Sequence, residues 1–214
     1  MLKVNLTNDA MIVIIDYNMG NVGSIANMIK YVGGKSIISN NHKDIEKADK
    51  IILPGVGSFD TGMRNLKEFD LINILSKKVS KDRIPVFGVC LGMQLLSKNS
   101  EEGILEGLGW IEAKTVKFNF KSNLKLNTPH MGWNDVEVNK ENEGLLKDLP
   151  LEPRFYFDHS YHLECNDKPD IMGATNYGYS FPCAIHKDNI YGVQFHPEKS
   201  HKYGMKVFEN FINL

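Results

Sequence analysis

The architecture of this chain follows from one stretch, Ile84-Pro85-Val86-Phe87-Gly88-Val89-Cys90-Leu91-Gly92-Met93-Gln94-Leu95-Leu96. Its first half is apolar and β-branched, which is typical of a buried strand. Its second half is rich in Leu, Met and Gln, which favour a helix. Cys90 lies at the junction, with one glycine two residues before it and another two residues after it. This spacing matches a nucleophile elbow, G-x-S-x-G, with cysteine in place of serine.

An elbow would lift the Cys90 sulfur clear of the sheet and place it at a helix N-terminus, where the helix dipole favours thiolate over thiol. The alternative is a buried structural cysteine at a strand end, beside two turn glycines. The stretch alone does not separate these interpretations, so the choice depends on partners elsewhere in the chain.

Alternation of strand and helix patterns predicts the fold class. Apolar runs at residues 11–16 and 50–53 are typical of parallel strands covered on both faces, and a helical pattern spans about residues 21–31. From about residue 105 onward, short alternating runs indicate antiparallel strands or hairpins. We therefore expect an α/β fold: a doubly wound, mostly parallel open sheet with helices on both faces and a few added antiparallel strands. We expect one domain over residues 11–214, preceded by a disordered extension of residues 1–10.

Composition excludes several classes of function. The 214 residues carry 25 basic and 26 acidic side chains, so no basic excess indicates nucleic acid or an anionic membrane as a partner. No apolar run reaches the roughly 18 residues of a membrane span, and the first ten residues lack the apolar core of a signal peptide. Three cysteines without a CxxC pair fit a reduced, cytoplasmic protein.

A second informative stretch is Gly192-Val193-Gln194-Phe195-His196-Pro197-Glu198-Lys199-Ser200. In extended chain, His196 and Glu198 face the same side, and Pro197 stiffens the pair. A carboxylate there can hold one ring nitrogen of His196 and leave the other free as a base. With Cys90 as nucleophile, the three residues would form a Cys–His–Glu triad. The alternative is a surface His and Glu near a strand end. A metal site would need a third ligand at a suitable spacing, and His130, His159 and His162 are scattered.

The loop Pro54-Gly55-Val56-Gly57 follows the third predicted strand. Its glycines allow a sharp turn that exposes amide groups at the carboxyl end of the sheet, where ligands bind in open α/β folds. The Val56 N–H in this loop and the Leu91 N–H in the elbow could donate hydrogen bonds to an oxyanion. A plain connecting loop is the alternative. A phosphate-binding loop is disfavoured because no Gly-Lys-Ser/Thr follows.

The elbow and the segment Phe195-His196-Pro197-Glu198 resemble the signatures of class I (triad) glutamine amidotransferases. Further segments resemble the glutaminase subunits of imidazole glycerol phosphate synthase, over a similarity that runs from about Met11 to the C-terminus. These segments are Asp16-Tyr17-Asn18-Met19-Gly20-Asn21, Pro54-Gly55-Val56-Gly57, Pro129-His130-Met131-Gly132-Trp133-Asn134 and His159-Ser160-Tyr161.

The resemblance implies hydrolysis of L-glutamine to glutamate and ammonia through a Cys thioester, without metal or cofactor. Cys90, His196 and Glu198 would be catalytic. The residues that would hold glutamine are Gly57, Gln94, Glu102, Ser160 and Tyr161. For Gln94 the alternative is a polar residue on the elbow helix, and for Glu102 a solvated loop acid.

The resemblance also implies a partner, a (β/α)8-barrel cyclase subunit that receives ammonia through a tunnel in a heterodimer. This complex makes imidazole glycerol phosphate and AICAR in histidine biosynthesis. Trp133, Tyr156 and Lys199 match positions near that interface. Their alternative roles are a packed Trp, a core aromatic and a solvated Lys.

Three other functions stay open from the sequence. Paralogous glutaminases feed ammonia to sugar amidotransferases of surface-polysaccharide biosynthesis, and residues 23–28 and 200–205 resemble them. Asp158 also replaces the apolar residue expected before His159. A γ-glutamyl hydrolase or intracellular peptidase on a similar fold is disfavoured by the segment 129–134. A non-enzymatic binding module is disfavoured because all three triad members are present.

Overall fold

A computed structural model describes residues 10–120, 125–139 and 143–214. Within these ranges, strands β1 to β12 span, in chain order, Met11–Ile15, Lys35–Ser39, Lys50–Leu53, Val86–Val89, Ala113–Lys117, His130–Asp135, Glu137–Val138, Arg154–His159, Tyr161–Cys165, Ile171–Asn176, Ser180–Lys187 and Ile190–Val193. Helices α1 to α6 span Val22–Tyr31, His42–Glu46, Phe59–Glu68, Leu71–Ser80, Leu91–Leu95 and His201–Ile212. Short 3₁₀ turns cover Gly144–Leu146, Lys168–Asp170 and Pro197–Lys199.

An eight-stranded sheet in the order β2-β1-β3-β4-β12-β11-β10-β7 forms the centre. The first five strands of this order are mutually parallel, and β11, β10 and β7 continue the sheet antiparallel. Two separate antiparallel ribbons, β5 with β9 and β6 with β8, complete the structure. The predicted α/β class, with a mostly parallel sheet and added antiparallel strands, is therefore confirmed.

The apolar strands bury side chains on both faces of the sheet. In β1, Ile12 and Ile14 join one core cluster with α1 and α6, whereas Val13 and Ile15 join a second cluster with α3 and α4. This arrangement explains why the parallel strands are continuous apolar runs rather than alternating ones. None of the helices in the described ranges is long and apolar enough to cross a membrane.

One segment differs from its expected conformation. Residues 130–134 are rich in polar and aromatic side chains, a composition more typical of a loop, yet they lie in strand β6, which pairs with β8 in the register His130↔His159 and Trp133↔Tyr156. The inward side chains of β6 include His130 and Asn134, which are polar. They are hydrogen-bonded to each other, and His130 is also hydrogen-bonded to His159. Alternation therefore exists, but without the hydrophobic residues that usually signal a strand. The expected disordered extension covers residues 1–10, of which residues 1–9 lie outside the described ranges. The division into extension and domain stays a prediction.

Candidate active site

Cys90 lies on a strained turn between β4 and α5. Its backbone angles are φ 54° and ψ −111°, a region that non-glycine residues rarely occupy. The flanking glycines make the turn possible. A Cβ on Gly92 would lie 1.8 Å from the Leu53 carbonyl oxygen, and a Cβ on Gly88 would lie 2.8 Å from backbone atoms of Gly92. The turn is thus the predicted elbow, and only glycine fits two residues before and two residues after the cysteine.

The sheet brings His196 beside the elbow. Strands β4 and β12 are parallel neighbours that pair Val89 with Val193, and the Cys90 N–H donates to the Val193 carbonyl at 2.8 Å. The chain leaving β12 therefore emerges next to Cys90. His196 Nδ1 lies 2.8 Å from Glu198 Oε1, and both side chains are 2% exposed. The three predicted triad residues are together at the carboxyl ends of the parallel strands.

Backbone contacts fix the position of His196. Its N–H donates to the Tyr156 carbonyl at 2.8 Å, so the segment after β12 is attached to β8. The Ser200 hydroxyl donates to the His196 carbonyl at 2.6 Å and accepts from the Tyr156 N–H at 3.0 Å. The backbone of His196 is thus held by β8 and by Ser200, and its ring is held by Glu198.

The environment of His196 favours its protonated form. Burial acts to lower the pKa of His196, but hydrogen bonds to Cys90 and Glu198 and the charges of both groups outweigh burial and raise that pKa to about 10. Near neutral pH the ring is therefore an imidazolium that can donate a proton. A positive charge beside a cysteine favours the nucleophilic thiolate.

A cavity of about 240 Å³ opens at Cys90. It is smaller than the roughly 300–1,000 Å³ of pockets for drug-sized ligands, so it suits a small molecule. Its lining includes every residue that the sequence analysis assigned to glutamine binding or to the oxyanion site: Val56, Gly57, Leu91, Gln94, Glu102, Ser160 and Tyr161. The remaining lining residues are Cys90, Pro129, Asp158 and His159.

Hydrogen bonds orient two of these side chains. Gln94 is buried and donates from Nε2 to the Tyr161 carbonyl at 3.0 Å. Glu102 accepts the Phe59 N–H at 2.8 Å and so caps the first turn of α3. Both residues are therefore fixed components of the cavity wall, in contrast to the solvated acid considered for Glu102.

The loop after β3 places a carbonyl where an oxyanion donor was expected. The Leu91 N–H donates to the Gly55 carbonyl at 3.3 Å, so this donor is occupied within the loop. The buried Tyr17 hydroxyl donates to the neighbouring Pro54 carbonyl. Burial raises the pKa of Tyr17, and the charge of Cys90 adds to the increase, so the phenol keeps its proton. Tyr17 thus holds the loop with the Gly55 carbonyl turned toward the Leu91 N–H, which is the carbonyl-inward arrangement of this loop.

The three residues expected at a partner interface lie close together outside the cavity. The Trp133 ring is 6.4 Å from that of Tyr156, and Lys199 Nζ lies 5.5 Å from the centre of the Tyr156 ring. Trp133 is 41% exposed and stacks on His201 at 5.5 Å. They form one surface patch, made by the outer face of the β6–β8 ribbon and the turn Pro197–Lys199.

A pair of buried histidines supports the cavity, although the sequence analysis treated them as scattered. His130 Nδ1 lies 3.0 Å from His159 Nε2, and His159 Nδ1 lies 2.7 Å from the Tyr161 carbonyl. Burial lowers the pKa of His130 to about 4 and lowers that of His159 well below its usual value. Both rings are therefore neutral and act as hydrogen-bonding spacers behind Tyr161. In the part of the chain that the structure describes, no three His, Cys, Asp or Glu side chains are grouped as metal ligands.

The sequence analysis also assigned no role to Gln194. Its side chain is fully buried, and its Nε2 lies 3.7 Å from Cys90 Sγ. An available signal was the position of a glutamine at the end of an apolar strand, two residues before His196, where an apolar side chain is expected.

Comparison with known proteins agrees with this geometry. The profile of the family described as class-I glutamine amidotransferase matches residues 13–214. A Methanococcus maripaludis protein named imidazole glycerol phosphate synthase subunit HisH 2 is 58% identical, covering 94% of this chain and 98% of its own length. A Pseudomonas aeruginosa protein with the same name is 48% identical, covering 95% and 100%.

Solved structures agree at the level of the fold. One described as a glutamine amidotransferase superposes with a TM-score of 0.71 at 18% identity, covering 94% of this chain and 99% of its own. The matched profile and the near full-length relatives show that this chain belongs to the class I glutamine amidotransferase family, among the HisH-type subunits of imidazole glycerol phosphate synthase.

Proposed function

We propose that this chain is a glutaminase subunit that hydrolyses L-glutamine to glutamate and ammonia for a synthase partner. The observation that carries the proposal is the position of Cys90, which is in contact with the His196–Glu198 pair and at the base of a cavity sized for a small ligand. Nucleophile, acid/base and orienting carboxylate thus share one buried site.

The first half of the reaction forms a thioester. The Cys90 thiolate attacks the side-chain amide carbon of glutamine, and backbone N–H groups stabilise the oxyanion that develops. His196, protonated at its free nitrogen, gives that proton to the departing nitrogen, so ammonia leaves and the C–N bond breaks. Glu198 keeps the ring oriented during this transfer. Gly57, Gln94, Glu102, Ser160 and Tyr161 would bind the α-amino and carboxylate groups of the substrate.

The second half regenerates the enzyme. His196, now neutral, removes a proton from water, and the resulting hydroxide attacks the thioester carbon. The C–S bond breaks, glutamate leaves, and the thiolate and imidazolium return. The oxyanion of this step needs the same donors as the first. In the carbonyl-inward arrangement the Leu91 N–H is occupied by Gly55, so rotation of the Gly55–Val56 peptide would both free Leu91 and turn the Val56 N–H inward.

The ammonia needs a receiving partner subunit, because free ammonia becomes ammonium unless it is delivered directly. We propose a heterodimer with a (β/α)8-barrel cyclase subunit that receives ammonia through a tunnel and makes imidazole glycerol phosphate and AICAR in histidine biosynthesis. The patch of Trp133, Tyr156 and Lys199 would contact it. The names of the relatives support this acceptor over the surface-sugar alternative. We propose no nucleic-acid or membrane partner.

Glutamate release tests the proposal directly. The purified chain is assayed with glutamine alone, with a candidate cyclase, and with cyclase plus its acceptor ligand, in parallel with a sugar amidotransferase as the competing partner. Cys90→Ser should fold normally and lose activity in every arm, because a hydroxyl is a far weaker nucleophile. Cys183→Ser serves as the control, since Cys183 is buried on β11 and has no role in the reaction. Wild-type glutamate release by Cys90→Ser would rule out the proposal.

A further inference from the structure

Gln194 presents a buried amide to the nucleophile. It follows the last residue of β12, its backbone N–H donates to the Cys183 carbonyl at 2.8 Å, and its side chain is fully buried. At one end of the amide, Oε1 lies 3.0 Å from Gln94 Nε2. At the other end, Nε2 lies 3.7 Å from Cys90 Sγ. A buried amide at the nucleophile is unexplained by the triad and calls for a role.

Neighbouring groups fix which end of the Gln194 amide faces the sulfur. The Tyr161 carbonyl can only accept a hydrogen bond, so the Gln94 atom next to it must be the donor Nε2. That same Nε2 contacts Gln194, which must therefore present its acceptor Oε1 there. The NH₂ end of Gln194 is consequently directed at Cys90. The opposite orientation would bring two NH₂ groups together and set a carbonyl oxygen against the sulfur.

We propose that Gln194 is a fourth catalytic residue, whose amide N–H donates to the Cys90 sulfur and stabilises it as a thiolate. This inference rests on the proposed function, because the anion is the form that attacks glutamine and the form that leaves the thioester. An N–H donor gains strength when its acceptor is charged and water is excluded. The same sulfur lies 3.9 Å from the Asp158 carbonyl, which can accept only from the neutral thiol. Gln194 thus opposes a contact that favours the unreactive form.

The titratable groups around the sulfur come from several elements of the described structure. From the segment after β12, His196 supplies the imidazolium, which Glu198 supports. From the end of β1, Tyr17 is a neutral phenol, and from β8, His159 is a neutral imidazole, because burial shifts the pKa of each group toward the uncharged form. The carboxyl groups of Asp158, also on β8, and of Glu102 line the same cavity. Gln194 is therefore the neutral donor that complements the charge of His196.

The rate of Cys90 alkylation by iodoacetamide, measured from pH 5 to pH 10 without glutamine or partner, tests the inference. Peptide mapping separates Cys90 from the other two cysteines. Gln194→Met removes the donor, and Gln194→Glu keeps an oxygen for Gln94 but puts a carboxylate against the sulfur. We expect the alkylation profile to move to higher pH by about one to two units in Gln194→Met, and further in Gln194→Glu. Cys183→Ala, at a buried neighbour of Gln194, should keep the wild-type profile.

Steady-state kinetics add a second readout. Gln194→Glu retains the acceptor that orients Gln94, so it should lower kcat with little change in KM for glutamine. Gln194→Met should lower kcat and raise KM, because Gln94 loses one partner. A merely structural role would affect the two variants alike, through lower yield and a lower melting temperature, with no shift of the alkylation profile.

A measurement on unmodified Gln194 covers the case in which its variants do not fold. The side-chain amide protons of Gln194, followed by NMR, should shift with pH as Cys90 ionises, and this dependence should disappear in Cys90→Ser. Amide protons that respond to neither pH nor Cys90→Ser would overturn the inference. Folded Gln194→Met and Gln194→Glu proteins with the wild-type alkylation profile would also overturn it. The alkylation profile and the NMR shifts do not use glutamine turnover, so both remain valid if the proposed glutaminase reaction is wrong.

Discussion

The carboxylate of Glu198 is buried with one oxygen on His196 and the other without a hydrogen-bond partner among the described residues. A buried carboxylate of this kind depends on its one cation, and the cation depends on it. The folded protein therefore holds the His196 proton at pH values at which the unfolded chain has lost it. The stabilisation is complete below about pH 6.5 and is lost as the pH rises from 6.5 to about 10.

Glu198→Gln should reduce both activity and this pH dependence. Loss of the orienting charge should lower kcat by about 10²–10⁴-fold, the range that general acid–base catalysis contributes. In chemical denaturation at pH 6.5, 8 and 10, the unfolding free energy of Glu198→Gln should fall less with rising pH than that of wild type. Glu68→Gln, on the exposed side of α3, is the control. An unchanged pH slope in Glu198→Gln would mean that Glu198 does not hold the proton on His196.

At this scale the sequence predicted the three triad residues that the structure brings together, but not the residues that support them. Cys90, with its flanking glycines, and His196 with Glu198 are each defined within a few residues, so local patterns suffice to identify them. Gln194 acts through Gln94, which is 100 residues away along the chain, and through Cys90. Such contacts depend on the pairing of β4 with β12, which local patterns do not specify.

The β6–β8 ribbon connects the surface patch to the cavity wall. Trp133 points outward, whereas His130 points inward and contacts His159, which holds the Tyr161 carbonyl. His130 is packed between the rings of Phe157 and Tyr177, at 4.7 and 4.1 Å. The parallel half of the sheet was predictable because its strands are apolar runs. Strand β6 of the ribbon was not, since its inward side chains are histidine and asparagine, whose polar groups are satisfied only after folding.

His130→Gln should make the fold more resistant to acid. The pKa of His130 is lowered to about 4, so below pH 6.5 the unfolded chain binds a proton that the folded protein excludes. Wild-type unfolding free energy should therefore fall between pH 6.5 and about 4. Glutamine can donate and accept hydrogen bonds like the neutral ring but does not titrate. The unfolding free energy of His130→Gln should therefore fall less than that of wild type over this pH window. His42→Gln, at an exposed position, should behave like wild type. Equal declines in all three proteins would contradict a buried neutral His130.

For the molecule as a whole, the proposed mechanism makes the loop after β3 the element that would complete the oxyanion site. The Gly55 carbonyl occupies the Leu91 N–H, and Tyr17 fixes the adjacent Pro54 carbonyl from beneath. In this state one of the two proposed oxyanion donors, the Leu91 N–H, is occupied, and loss of one donor costs about 10²–10³ in rate. We therefore expect the isolated chain to hydrolyse glutamine slowly and a cyclase partner carrying its ligand to speed the reaction. Rates that agree within about twofold across these conditions would mean that the loop does not limit activity.

Tyr17→Phe should raise the basal rate and reduce stimulation by the partner. The variant removes the hydrogen bond to Pro54 that favours the carbonyl-inward loop, and a neutral bond of about 1 kcal/mol corresponds to about a fivefold change in population and hence in basal rate. Gly55→Ala is a poorer probe, because its Cβ would lie 2.8 Å from Leu91 Cβ. Tyr191→Phe, at another buried tyrosine near the amino end of β12, is the matched control and should leave both rates unchanged. If Tyr17→Phe keeps wild-type basal and stimulated rates while folding normally, Tyr17 does not restrain the loop.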